Sequence, residues 1–327
     1  MGCVPHLQKP AAVLACLLLA ACSGGSGSGS PGGRATSAPA PADLYIANYG
    51  ANNLAVFPVT ANGDVAPAQT VAGNGTAMAS PIGIALDQTG DLAISQSQAN
   101  EIAVYSTPAG GDDPPTRTLA GSNTGLDLPA GIAFDASGEL AVANNSAASI
   151  TIYAAGASGN AAPVRTISGA ATQLQLPLGV AFDPSGDLYV SSPHGNTITV
   201  YAPLANGNVA PIRTIAGSAT GLASPYGIAL DSSGNLYVAL ESAGVNVYAA
   251  GAGGNVAPTR TIAGSSTGLS TPTGIALDAS GNIYVTTNGN RSVVVFAPSA
   301  SGNVTPLRTI EGGATGLANP LLLAIGR

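Results

Sequence analysis

One pattern recurs six times along this chain, and it limits the possible folds more than any other feature. Comparable strand-like runs begin at Asp43, Asp91, Glu139, Asp187, Asn235 and Asn282, so the period is 48 residues four times and 47 once. A fixed period of this length marks a repeat architecture, in which each unit buries its apolar surface against its neighbours. Within one unit, residues 187–190 (DLYV), 197–201 (TITVY), 211–215 (PIRTI) and 225–231 (PYGIALD) are short aliphatic or β-branched runs. Gly, Asn, Asp, Ser and Pro separate them, which is the strand-and-turn signature. We letter the runs B, C, D and A in chain order. Asp-x-x-Gly joins A to B, as at residues 87–90, and Gly-Asn or Gly-Asp lies between C and D, as at residues 207–208. Both read as hairpin turns.

Four antiparallel strands in about 48 residues is the size of a propeller blade. The 3.6-residue periodicity of a helical solenoid is absent. Charged residues at 8% also exclude a coiled coil or charged bundle. High aliphatic content and modest net charge exclude a disordered chain. The phase of the repeat gives the closure. The first unit opens on a B run at residues 44–46, and the chain ends on an unpartnered A run at residues 321–325. The strand count balances if this last strand joins the first B, C and D runs. The expected fold is therefore all-β: a six-bladed β-propeller of four-stranded antiparallel blades over residues 42–327, closed by the C-terminal strand.

Residues 1–21 read as a secretory signal: Lys9 precedes the apolar run AAVLACLLLAA, which is too short to span a bilayer. The run ends in Leu19-Ala20-Ala21-Cys22, which resembles the lipobox of bacterial lipoproteins. That resemblance implies cleavage before Cys22 and acylation of the cysteine. Residues 22–41 then form a Gly/Ser/Pro tether, about 24 Å in r.m.s. reach if flexible. The expected location is the cell envelope, with the membrane as partner through the lipid. Ser23 in place of Asp implies the outer membrane in a diderm cell. Loss of the leader removes Cys3, Cys16 and the sole lysine, Lys9, leaving eight arginines against sixteen acids, a net of −8. Such a surface is a poor match for nucleic acid. No thiol remains for disulfide or Cys-metal chemistry.

The A–B core, PLGVAFDPSGDLYV at residues 177–190 for example, resembles NHL-repeat proteins across residues 43–327. The resemblance implies the propeller fold. It does not imply one function, since propellers host many. The chain departs from the NHL pattern after strand B, where Asn48, Gln96, Asn144, Ser192, Leu240 and Thr287 occupy the usual Asp place and the Arg place is also lost. The basic RNA-binding face of some NHL proteins is therefore not expected.

Residues common to most blades read as structural. Strand C ends in Phe57, Tyr105, Tyr153, Tyr201, Tyr248 and Phe296, expected to pack between blades. Asp87, Asp135, Asp183, Asp231 and Asp278 open tight turns and are expected to cap their own backbone amides. Arg117, Arg165, Arg213, Arg260 and Arg308 lie on strand D, where a charge protects an open sheet edge. Gly83, Gly131, Gly179, Gly227 and Gly274 enter the innermost strand, and Leu322 breaks that series.

The leftovers point to function. Tyr49, His194, Tyr226, Glu241 and Arg291 stand outside the repeat and are assigned to one rim at the channel mouth as ligand-binding candidates. Functional groups on loops held by a rigid scaffold are a common arrangement. His194 and Glu241 are the candidates for acid–base work. No metal site and no cofactor are expected. The function read here is a membrane-anchored, non-catalytic propeller binding a protein, peptide or glycan at its channel face. The alternative is a small-molecule enzyme resembling gluconolactonases or propeller lyases.

Overall fold

A computed structural model describes residues 42–242 and 244–326. The signal sequence, Cys22 and the linker lie outside the described residues. The chain forms six four-stranded antiparallel sheets. Asp43–Asn48, Asn53–Pro58 and Gln69–Val71 make blade 1 together with the C-terminal strand Pro320–Gly326. That last strand pairs with the first from Asp43↔Gly326 to Asn48↔Pro320, so the ring closes as the strand count requires. The inner strands of blades 2 to 6 are Pro81–Leu86, Pro129–Phe134, Val180–Phe182, Pro225–Leu230 and Pro272–Leu277.

The hydrophobic core is divided among the seams. Leu44, Ile46, Ala55 and Phe57 of blade 1 pack with Tyr284, Val293, Val295 and Ile310 of blade 6. Equivalent clusters fill the other seams. Each strand is thus apolar on both faces, because each sheet is covered on both sides. The aromatics ending strand C are all buried, each contributing about 1.5–3 kcal/mol in apolar burial. Four of them also bond across a seam. The Tyr105, Tyr153, Tyr201 and Tyr248 hydroxyls donate to the carbonyls of Thr76, Thr124, Thr172 and Thr220 at 2.5–2.6 Å. Burial pushes the Tyr153 and Tyr201 phenols up to about 12, so both remain donors at neutral pH.

The Gly-Asn and Gly-Asp segments do more than turn. Gly207 of blade 4 pairs in parallel with Ile167 at the outer edge of blade 3, its N–H donating to Thr166 O at 2.7 Å. The next residue, Asn208, accepts from the Ala171 N–H at 2.8 Å. The clasp recurs at all six seams, including Gly63 of blade 1 on Ile310 of blade 6. Asp64, Asp112, Asn160, Asn255 and Asn303 repeat the side-chain bond at 2.5–2.7 Å. The outer edges are therefore covered by neighbouring loops. This revises the role expected of the strand-D arginines, which reach across their own sheets, and in Arg260 and Arg308 also to carbonyls of the next blade. Arg213 bonds Asp187 at 3.1 Å and the Tyr189 hydroxyl at 3.0 Å, with its guanidinium carbon 5.7 Å from the ring centre.

At the axis, the inner-strand glycines meet the next blade. A Cβ on Gly179 would lie 2.5 Å from the Tyr226 carbonyl oxygen, and one on Gly227 2.7 Å from that of Thr273. The turn aspartates cap as expected: Asp87 Oδ1 accepts from the Thr89 and Asp91 amides at 2.9 and 3.0 Å. Burial opposes ionisation of Asp87. The bonds from Thr89 and Asp91 and the Arg117 charge outweigh it and hold the carboxyl below the usual range.

Two outcomes are expected. Asn255→Ala removes the acceptor of the exposed Ala219 amide and should lower stability by about 0.5–1.5 kcal/mol in urea unfolding. Asp87→Asn removes the charge but keeps a capping oxygen. A carboxyl with a depressed folded-state pKa stabilises above its unfolded pKa and loses that contribution as pH falls through the folded value. The stability gap between wild type and Asp87→Asn should therefore be largest near neutrality and shrink in unfolding titrations run from about pH 5 downward. A gap that widens on acidification would contradict this.

Candidate functional site

One end of the axis opens into a cavity of about 620 Å³. Its floor comes from a single sequence position, the middle residue of the Pro-x-Gly segment that begins each inner strand. Ile82, Ala130, Leu178, Tyr226 and Thr273 occupy it in blades 2 to 6, and Leu321 fills the place in blade 1, where Leu322 replaces the glycine. In five blades the register shifts across this segment, for example between Pro225 and Ile228. A bulge of this kind re-aims a side chain, here into the mouth. The walls come from the B–C loops, with Tyr49, Ser97, Gln98, Asn145, Pro193, His194 and Glu241, and from Leu128, Leu176 and Ser224 just before the inner strands.

The loops are held by short bonds. Asn52, Asn100 and Asn196 accept from the amides of Ser80, Leu128 and Ser224 in the neighbouring connection at 2.7–2.8 Å. Both members of each pair have positive φ, near 50°. Asn tolerates that conformation. The polar residues ending strand B, where the sequence leaves the NHL pattern, are buried and structural. Asn48 accepts from the Ala318 amide at 2.6 Å, Asn144 from Asp127 at 3.2 Å and Ser192 from Gln175 at 3.3 Å. Tyr49 sits in a one-turn 3-10 helix, Tyr49–Ala51, fixed by the Gly50 amide on Ala318 O at 2.8 Å.

Of the five ligand-binding candidates, the structure brings Tyr49, His194, Tyr226 and Glu241 to one cavity. Arg291 is exposed and is not among the lining residues. It stands at the left-handed loop position that Asn52, Asn100 and Asn196 occupy in other blades. Gln98, Asn145 and the other five floor residues were not singled out from the sequence. The usable signal was there: a variable residue inside an otherwise constant Pro-x-Gly.

Leu322 lines both this cavity and a smaller axial void of about 60 Å³ beyond it. It narrows the axis where five blades carry glycine. Among the described residues the walls hold no arginine or lysine. Glu241 is the only carboxylate on them, half-buried, and among the described residues its oxygens accept no hydrogen bond and join no ion pair. Burial, and then the Glu241 charge, push the Tyr226 phenol above its ordinary value. His194 is exposed, and no hydrogen bond joins it to Glu241 among the described residues. The described residues contain no group of three His, Cys, Asp or Glu placed to hold a metal. The arrangement is suited to holding a ligand with an apolar body.

No family model matches the chain, and no curated protein matches it. Solved structures do resemble it. A protein of unknown function from Bacteroides caccae shares 11% identity at a TM-score of 0.63, covering 88% of this chain and 99% of that one. A structure of the nidogen/laminin complex contains a chain with 18% identity and a TM-score of 0.62, covering 88% and 98%. The WD40 β-propeller domain of Doa1 shares 13% identity at a TM-score of 0.56, covering 83% and 79%. At such identities the likeness is one of fold, and with the strand pairing above it establishes this chain as a six-bladed β-propeller.

Proposed function

We propose that this protein is a non-catalytic binding module of the cell envelope, an NHL-like propeller that takes a peptide, protein segment or glycan into its axial mouth. One observation carries the reading. Six floor positions and five B–C loops supply non-repeating side chains to a single open cavity, while the rest of each blade repeats. Its volume of about 620 Å³ falls within the range of ligand sites, which are mostly apolar with a few placed polar groups. Among the described residues no hydrogen bond couples His194 to Glu241, which supports binding over acid–base turnover. The lipobox-like Leu19–Cys22 and the linker to residue 41 support display from a membrane. In that setting Cys22 carries acyl chains and the ring is held close to the lipid surface, in the outer membrane of a diderm cell.

Screening the full chain on peptide and glycan arrays tests the reading. Each hit is then titrated against wild type, Tyr226→Ala and Leu128→Glu. Both variants should weaken a true mouth ligand at least about tenfold, near 1.4 kcal/mol, with the thermal midpoint unchanged. Hits indifferent to both substitutions would move binding off the mouth. Radiolabelled palmitate should enter the wild type and be lost in Cys22→Ser; equal labelling of the two would remove the anchor.

A further inference from the structure

The charge of the mouth narrows what it accepts. Glu241 opens the B–C loop of blade 5 directly after the strand Leu236–Leu240, and Tyr226 lies in the inner strand of the same blade. Pro225 pairs with Leu240, so the two residues follow directly on a paired position. The Glu241 backbone amide is held by Ser224 O at 3.2 Å, which fixes where the side chain leaves the loop. Its carboxylate is half-buried and unpartnered among the described residues, in a cavity otherwise lined by Leu, Ile, Ala, Pro, Tyr, amide and hydroxyl side chains and the exposed His194, which makes no hydrogen bond to it among the described residues. A desolvated charge is stabilised by a counter-charge. The nearby arginines do not supply one. Those of strand D are engaged by groups of their own sheets and, for Arg260 and Arg308, by carbonyls of the next blade, and Arg291 stays exposed outside the walls, where salt screens it. Tyr226 and Tyr49 add aromatic surface to the same cavity, and aromatic faces attract cations.

We infer that the mouth selects ligands bearing a cationic amine on an apolar body, with Glu241 as the counter-ion and the Tyr226 and Tyr49 rings as the aromatic wall. Acidic ligands such as uronic acids, phosphates or free carboxylates are disfavoured, because they would meet Glu241 with no arginine or lysine among the described wall residues to offset it. This rests on the mouth being the binding site and specifies its ligand chemistry.

The test uses three fluorescent probes of one size class with the full-length protein: dansylcadaverine, its N-acetyl derivative, and dansyl-aminohexanoic acid. Fluorescence titration should give saturable binding of the amine, at least about tenfold tighter than the acetylated probe, with the acid weakest. Glu241→Gln, which keeps shape and removes charge, should erase the amine preference by weakening the amine at least about tenfold more than the acetylated probe. Tyr226→Ala should weaken all three. If the three probes bind equally and Tyr226→Ala weakens them all, the mouth reading stands and amine selection is wrong. If Glu241→Gln leaves the amine preference intact, the counter-ion is elsewhere and the inference fails. No saturable binding of the amine up to about 1 mM would also overturn it. A thermal melt of each variant separates these outcomes from loss of fold.

Discussion

A four-stranded blade with two apolar faces cannot be stable alone, and the whole molecule follows from covering both. Each face finds its partner in the next blade, so the core is six separate seam clusters instead of one centre. A linear stack would leave two terminal faces wet. A ring leaves none, provided its ends are joined. The C-terminal strand makes that joint on the inner side of blade 1, and the Gly63–Asp64 clasp on Ile310 and Ala314 makes it again on the outer side. The closing seam therefore uses the same kinds of contact as the other five, and only the chain order differs, because the inner strand of blade 1 comes from the C-terminal segment.

Six inner strands converging on one axis impose a second constraint. Where they approach each other, a Cβ would collide with a neighbour's carbonyl, so glycine recurs. The neighbouring strand-B residues adapt in alternation. Ser95, Ser191 and Thr286 place a hydroxyl between their own inner-strand amide and the next blade's carbonyl, while Ala47, Ala143 and Ala239 do not. In blade 3, where the residue is Ala143, the Gly131 amide reaches Leu178 O directly at 2.8 Å. The ring thus combines two ways of satisfying the same crowded backbone. Sequence freedom returns one residue earlier, at the x of Pro-x-Gly, because a bulge turns that side chain toward open space.

The fold was legible because its signals are periodic and local: run length, turn residues and strand phase all agree. The clasps were not. Asn208 or Asp112 beside glycine reads as a turn former, and nothing local tells that its oxygen serves the adjacent blade. The arginines of strand D were misassigned for a related reason. An edge charge reads as protection until the edge is seen to be covered. In the site, Tyr226 was legible because an aromatic is out of place in a small-residue strand. Ile82 and Leu178 were not, since an aliphatic residue in a strand reads as core. Arg291 stood out by type, yet its position serves the loop turn and its side chain stays outside the walls.

Function in such a ring is confined by symmetry. A residue that supports a seam varies only within the few side chains that can hold it, as Ser, Thr and Ala do beside the inner-strand glycines and Tyr and Phe do at the end of strand C. Variation is tolerated where a side chain touches no seam, and the geometry offers few such places: the floor position, the B–C loop tips and the residue before the inner strand. All three sets open at the same end of the axis. A protein of this design gains a ligand site by changing unrelated side chains that already face one cavity, without disturbing the core. The lone wall carboxylate, Glu241, is one such departure. Its loop is also where the repeat shortens from 48 residues to 47, so charge and altered spacing coincide in blade 5.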